Sequence, residues 1–190
     1  MTELEKFEVF MKNYQDMVYG TAMRMLGNPT DAQDIAQTVF LKAYEAFGNL
    51  AQSQSAGGWL KTVTTNLCLN HLTRYRNRWR FFSEMRSEED DTEFTDTLAA
   101  PEKLESGLDE ADRRQLLEAA LRKLPDAQRV PLVLFHFEDL AYEDIAQKLG
   151  ASLSKVKTDI HRGRLALKRY LEHRLAADDR FGESSQRPAT

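Results

Sequence analysis

Apolar residues recur at steps of three and four through most of this chain, and nowhere do they alternate convincingly with polar ones. That period places apolar side chains along one face of an α-helix, so the pattern predicts an all-α protein. Leu4, Phe7, Met11, Tyr14, Val18, Ala22 and Met25 keep helical spacing until Gly27, Asn28 and Pro29 stop the run. Thr30 reads as an N-cap, with Gln33 placed to complete a capping box. The helix it starts would bury Ala32, Ile35, Ala36, Val39, Ala43 and Phe47. Residues 48–58 read as a loop. A third helix runs from Trp59 to about Trp79, with Leu60, Val63 and Leu67 on one side and Leu69 and Leu72 on another. Apolar residues on two sides mean a helix sandwiched between neighbours. These helices form a first small domain, residues 1–82.

Residues 83–110 have few large apolar side chains and much negative charge, which is the signature of a flexible linker. A second helical domain, 111–175, follows. "ADRRQLLEAALRKL" is one helix, ended by Pro125, and "DAQRVPLVLFHFEDL" is the next, with Pro131 in or near its first turn. The tail, 176–190, is expected to be disordered.

Between these lies "YEDIAQKLGASLSKVKTDIHRGRLALKRYL", residues 142–171, which reads as two helices joined at a tight corner. Tyr142, Ile145, Ala146 and Leu149 make one stripe, Gly150 permits a left-handed turn, and Ser152 is placed to cap the next helix. There Leu153, Val156, Ile160, Gly163, Leu167 and Leu171 form the inward stripe, with Gly163 allowing close packing. The opposite face carries Ser154, Thr158, His161, Arg162 and Arg169, flanked by Lys155, Lys157 and Arg164; Leu165 also falls there, without an evident role. A bracing helix, a tight corner and a one-sided basic helix together predict a helix-turn-helix that presents its second helix to the DNA major groove. The alternative is a packed helical hairpin with a solvated basic face.

The net charge of −4 argues against nucleic acid until it is divided along the chain. Residues 81–112 hold twelve acids against two bases, a local −10, so the remainder carries +6. Four arginines and no acid fall within His71–Arg80, and seven Lys or Arg lie in Ser152–Arg174 against Asp159 and Glu172. Arg74, Arg76, Arg78 and Arg80 alternate with aromatic residues, an arrangement that suits single-stranded nucleic acid, where bases stack on rings and guanidinium groups meet phosphates. The competing reading anchors Trp79 and Phe82 in the core. On the second helix Asp34, Thr38, Leu41 and Glu45 face outward with Gln37 beside them; an exposed Leu among acids is either incidental or the centre of a protein-binding patch.

No catalytic motif is present: there is no phosphate-binding glycine loop, no nucleophile elbow and no histidine set at metal-ligand spacing. No enzyme activity, cofactor or metal is expected. A single cysteine, Cys68, excludes an internal disulfide and fits a reducing, cytoplasmic setting. No signal peptide and no membrane insertion are expected, since Met1–Met17 mixes acids into its apolar positions and no apolar run is long enough to span.

"DAQDIAQTVFLKAYEAF" followed by "GGWLKTVTTNLCLNHLTRYR" resembles region 2 of extracytoplasmic-function sigma factors, and residues 124–171 resemble their region 4. With the first helix, the likeness covers nearly all of 1–82 and 110–173. It implies two small helical domains on a linker, acting as a dissociable subunit that gives RNA polymerase its promoter specificity. Asp34, Gln37, Phe40 and Leu41 would face the clamp helices of the large catalytic subunit. Trp59, Asn66 and the four arginines would capture and melt the −10 element, and Ser154, Lys155, Lys157, Thr158, His161, Arg162 and Arg164 would meet the −35 element. The flap of the other large subunit and an anti-sigma factor are further implied partners. Asn70 stands where relatives often have Asp, "TTN" (64–66) replaces a commoner Ala-rich version, and Ser154-Lys155 stand where Gly-Thr is common, so the promoter preference does not carry over from relatives. The rival readings are a stand-alone helix-turn-helix regulator, which has no need of the 31–45 outer face, and a nucleic-acid enzyme such as a resolvase, which needs acids in a folded domain.

Overall fold

The structure, a computed structural model, describes the backbone of residues 2–83 and 109–184, with side chains through 73 in the first stretch and 174 in the second. Every regular element among the described residues is an α-helix, as expected. The chain divides into two units, 1–92 and 93–190. The bulk of the expected acidic linker, 84–108, lies outside the described residues.

The first unit comprises α1 (Glu3–Leu26), α2 (Pro29–Glu45), α3 (Phe47–Leu50) and α4 (Ala56–Ser83). A capping box starts α1: Thr2 Oγ1 accepts from the Glu5 N–H at 3.2 Å, and Glu5 Oε2 accepts from the Thr2 N–H at 2.7 Å. Gly27 ends it at φ 68°, a conformation glycine adopts without a Cβ clash, and donates its N–H to the Met23 carbonyl.

The cap of α2 is Asn28, not Thr30. Its Oδ1 accepts from the N–H groups of Thr30 at 2.9 Å and Asp31 at 3.3 Å. Proline decides between two good capping residues. Pro29 has no N–H to leave unsatisfied and its φ is already helical, so it belongs at the first helical position and the cap moves to the residue before it. Ala32, Ile35, Val39 and Ala43 are buried and Ala36 is half-buried. Phe47 is buried as expected, but from α3, because α2 stops at Glu45.

Aromatic rings tie these helices together. Phe7 meets Tyr44 and Phe47 edge-on, with centroids 4.9 and 5.1 Å away, and Phe10 meets Tyr14 at 4.9 Å and Phe47 at 5.5 Å. The segment read as a loop therefore contains α3, and α4 begins three residues before Trp59, at Ala56. Gly57 and Gly58 lie inside that first turn; a Cβ on Gly57 would come within 3.3 Å of the Tyr14 ring. Further along, Leu60, Thr64, Thr65 and Cys68 are buried, while Val63, Leu67, Leu69 and Leu72 are half-buried. The two-sided pattern has its counterpart in packing, since α4 lies against both α1 and α2.

The second unit comprises α5 (Glu110–Lys123), α6 (Asp126–His136), α7 (Tyr142–Leu149) and α8 (Leu153–Ser184). Its core holds Leu121, Leu124, Val130, Leu132, Val133, Leu134, Ile145, Val156 and Ile160, each large aliphatic side chain contributing about 1.5–3 kcal/mol when fully buried. Arg129 is buried among them: one terminal nitrogen donates to the Leu124 carbonyl at the end of α5, and the other pairs with Asp126. Pro131 lies buried inside α6, and the helix continues past it to His136.

Helix α8 packs on α5, α6 and α7. Gly163 is where it comes closest to α6: a Cβ there would sit 3.0 Å from Leu132 Cδ1 and 3.3 Å from the Gln128 carbonyl oxygen. Two expectations for α8 need correction. Leu153 is not part of the buried stripe but is 37% exposed, because it is the first helical residue and the contact with the core begins a turn later at Val156. The backbone also stays helical through Ser184, where disorder was expected from 176. Leu175, Ala176 and Ala177 are strong helix formers, no proline intervenes before Pro188, and extending an existing helix needs no new nucleus. The backbone of 185–190 lies outside the described residues.

Candidate nucleic-acid interface

The corner between α7 and α8 is built as its residues require. Gly150 takes φ 60° and ψ 38°, and the N–H groups of Gly150 and Ala151 donate to the carbonyls of Gln147 and Ala146. Ser152 then caps α8, its Oγ accepting from the Lys155 N–H at 3.2 Å. Ile145 on α7 is fully buried, while Tyr142, Ala146 and Leu149 are half-buried at the edge of the same stripe. The two helices are thus held at a fixed angle, and the outer face of α8 is left to solvent.

That face carries the residues expected of it. Ser154, Lys155, Lys157 and Arg162 are exposed, and Thr158, His161 and Arg164 are half-buried. Leu165 is half-buried, not fully outward.

The flanking cations are held by neighbours that the sequence did not pair with them. Arg164 Nε donates to His136 Nε2 at 3.1 Å, and its guanidinium carbon lies 5.3 Å from the centre of the Phe135 ring. Phe135 stacks nearly parallel on Tyr142 at 4.6 Å, and the Lys157 ammonium lies 5.8 Å from the centre of the Tyr142 ring. A continuous set of contacts therefore joins α6, α7 and α8 along one edge of the exposed helix. His136 meets solvent on one side, yet partial burial of its ring, and then the positive charge of Arg164, hold its pKa below the ordinary 6.5. A neutral imidazole is what the Arg164 hydrogen bond needs as acceptor. On the other edge, Lys155 Nζ pairs with Asp159 Oδ2 at 3.0 Å.

In the first unit, Asp34, Gln37 and Leu41 are exposed on one face of α2, with Phe40 half-buried beside them. Leu41 is 64% exposed, and Tyr44, one turn on, is also exposed, an addition that periodicity alone did not supply. Asn66 is exposed and Trp59 half-buried on α4. Arg74, Arg76, Arg78 and Arg80 fall on the helical backbone of α4, but their side chains lie outside the described residues. Among the described residues no group of His, Cys, Asp or Glu could hold a metal ion, and no helix is long and apolar enough to cross a membrane.

Two family models match the chain: sigma-70 region 2 over residues 10–79 and sigma-70 region 4 over 114–167. The extracytoplasmic-function RNA polymerase sigma factor SigW of Bacillus subtilis is 30% identical over 83% of this chain and 84% of its own. The chain belongs to the extracytoplasmic-function sigma factors of the sigma-70 family.

The RNA polymerase sigma-H factor of Pseudomonas aeruginosa is 33% identical, over 87% of this sigma factor and 86% of that one. A solved complex of the sigma factor RpoE with the anti-sigma factor NepR from Bartonella quintana is similar over 87% of this chain and 96% of that chain, at 22% identity and a TM-score of 0.48. The protein directs promoter-specific transcription initiation by RNA polymerase, and the reading as a stand-alone regulator is set aside.

Proposed function

We propose that this sigma factor divides its work between its two units, residue by residue as follows. The outward face of α2, with Asp34, Gln37, Phe40 and Leu41, docks on the clamp helices of the large catalytic subunit of polymerase. Helix α4, with Trp59, Asn66, Arg74, Arg76, Arg78 and Arg80, captures and melts the −10 element. The N-terminal turns of α8 enter the major groove of the −35 element, where Ser154, Lys155, Thr158, His161 and Arg162 meet base edges and the flank bearing Lys157 and Arg164 meets phosphates. The second unit also rests on the flap of the other large subunit. The protein acts in the cytoplasm, catalyses no reaction of its own, and is held in reserve by an anti-sigma factor.

Leu41 carries this reading. Among the described residues it is the most exposed large apolar side chain, and it sits among Asp34, Gln37 and Glu45 on a helix whose other face is core. A leucine left in water forgoes about 1.5–3 kcal/mol that a partner surface would recover. Leu41→Asp is expected to abolish co-purification with core polymerase while circular dichroism and thermal stability stay close to wild type, because a new charge on an exposed helix face changes stability by about 0.5 kcal/mol or less. Undiminished binding by the folded variant would remove α2 from the interface.

A further inference from the structure

Asp159 is an acid on a helix that faces a polyanion. Its side chain is 13% exposed, and its Oδ2 accepts from Lys155 Nζ at 3.0 Å, one helical turn back. Stability does not account for the pair. An i,i+4 ion pair with the lysine first and the acid second is the weaker orientation, worth a few tenths of a kcal/mol when solvent screens it, and the Lys155 side chain here is 55% exposed. Toward distant phosphates the pair is close to neutral, so Lys155 adds little to sequence-blind attraction, and without Lys155 the carboxylate would repel DNA. What the pair does supply is direction. The Asp159 side chain is largely covered, and its Oδ2 holds the Lys155 ammonium. The ammonium keeps two further N–H donors in a restricted orientation at the edge of the outward face, next to Ser154 and Arg162.

We propose that Asp159 is a positioning residue for promoter recognition: it aims Lys155 at a base edge, with the acceptor pair O6 and N7 of guanine as the chemistry recognised, instead of leaving it to neutralise phosphate. The proposal rests on α8 reading the −35 element, as set out above. Arg162 is the counterpart within the same face. It is exposed and takes part in no hydrogen bond, ion pair or ring contact among the described residues, so its contribution does not depend on Asp159.

The test uses holoenzyme assembled from the full chain and core polymerase, bound to promoter DNA randomised across the −35 element and sequenced. Asp159→Asn and Lys155→Ala should each lower discrimination about five- to tenfold at the same one or two positions, and the double variant should lose no more than either alone. Asp159→Glu, which keeps the charge, should restore most of the preference. Circular dichroism of each variant checks that the helix stays folded. A motif unchanged in Asp159→Asn overturns the proposal, as does a uniform gain in affinity across all sequences, which would make Asp159 a plain electrostatic brake. A change in Asp159→Asn at a position that Lys155→Ala leaves intact also overturns it, because the acid would then be contacting a base itself. Arg162→Ala separates this from failure of the underlying reading: if that variant too leaves the motif unaltered, α8 does not read the element at all.

Discussion

Leu41 on α2 and Arg162 on α8 hold equivalent places, each exposed on the outer face of a helix whose inner face is core. Around Leu41 the surface is apolar and acidic, with Tyr44, Asp34 and Glu45 exposed beside it. The exposed face of α8 and its two flanks are cationic, and three of the cations there are held by other side chains: Lys155 by Asp159, Lys157 by Tyr142, and Arg164 by His136 and Phe135. The difference is what the two proposed roles require. An apolar patch needs only shape and burial to bind protein, and a ring of loosely held lysines would bind any DNA. Holding Lys155, Lys157 and Arg164 in place lowers the side-chain entropy each would lose on meeting DNA, whereas Arg162, with no such partner among the described residues, meets that cost in full.

The sharpest break between the two faces is expected from Arg162→Ala. It should relax preference at one or two −35 positions by about 1–3 kcal/mol and leave core-polymerase binding untouched, the mirror image of Leu41→Asp. Selection from randomised promoters beside co-purification measures both. A loss of core binding in Arg162→Ala would mean that the two surfaces are not separate.

Next in size is a contrast in packing. Gly163→Ala should destabilise the second unit by about 1 kcal/mol net, since overpacking costs about 1–3 kcal/mol and the gain in helix propensity returns up to about 1. Gly57→Ala in the first unit should be close to neutral. Its new methyl would meet only the Tyr14 ring, at 3.3 Å, and a side chain gives way more easily than the Gln128 carbonyl that faces Gly163. Urea denaturation followed by hydrogen exchange in α8 and α4 distinguishes them; equal effects at the two glycines would show that backbone proximity is not what sets the cost.

The smallest expected effect concerns pH. The folded-state pKa of His136 lies below its unfolded value of 6.5, so the folded state binds the proton less readily. The stabilisation is therefore fully present above about pH 6.5 and fades as pH falls through the lowered pKa. His136→Gln keeps an acceptor for Arg164 and does not titrate. The wild type should lose more stability than this variant between pH 7 and pH 5, measured as the shift in denaturation midpoint of the second unit. Parallel curves would show that Arg164 does not depend on a neutral imidazole.

Much of this was legible in the chain because it depends on near neighbours. Stripes such as Ala32, Ile35, Val39 and Ala43 follow from the helical period alone. Gly150 and Ser152 mark the corner through local backbone chemistry, and Gly163 stood out as the one small residue in an inward stripe of large ones. Even the outward position of Leu41 needed no more than periodicity, and the motifs around it were enough to suggest the family. Where local signals competed, the reading slipped: Asn28 and Thr30 are both good caps, and Pro29 chose between them. The segment read as a loop, 48–58, holds most of α3 and the first residues of α4, and a tail expected to be disordered continues α8 as far as Ser184.

By itself, then, the sequence determined the helices, their inner and outer faces, the placement of charge and the helix-turn-helix corner, because each is set by residues within a turn or two of one another. Only the tertiary structure decided which cation is held and by what. His136 and Arg164 are 28 positions apart, and Phe135 reaches Tyr142 only when α6 and α7 pack side by side. The same holds for where the core begins along α8, which leaves Leu153 in solvent and buries Val156. A helical period says which way a side chain faces, but what it faces depends on the helix packed opposite, and that is settled by the sum of many weak contacts across the whole unit.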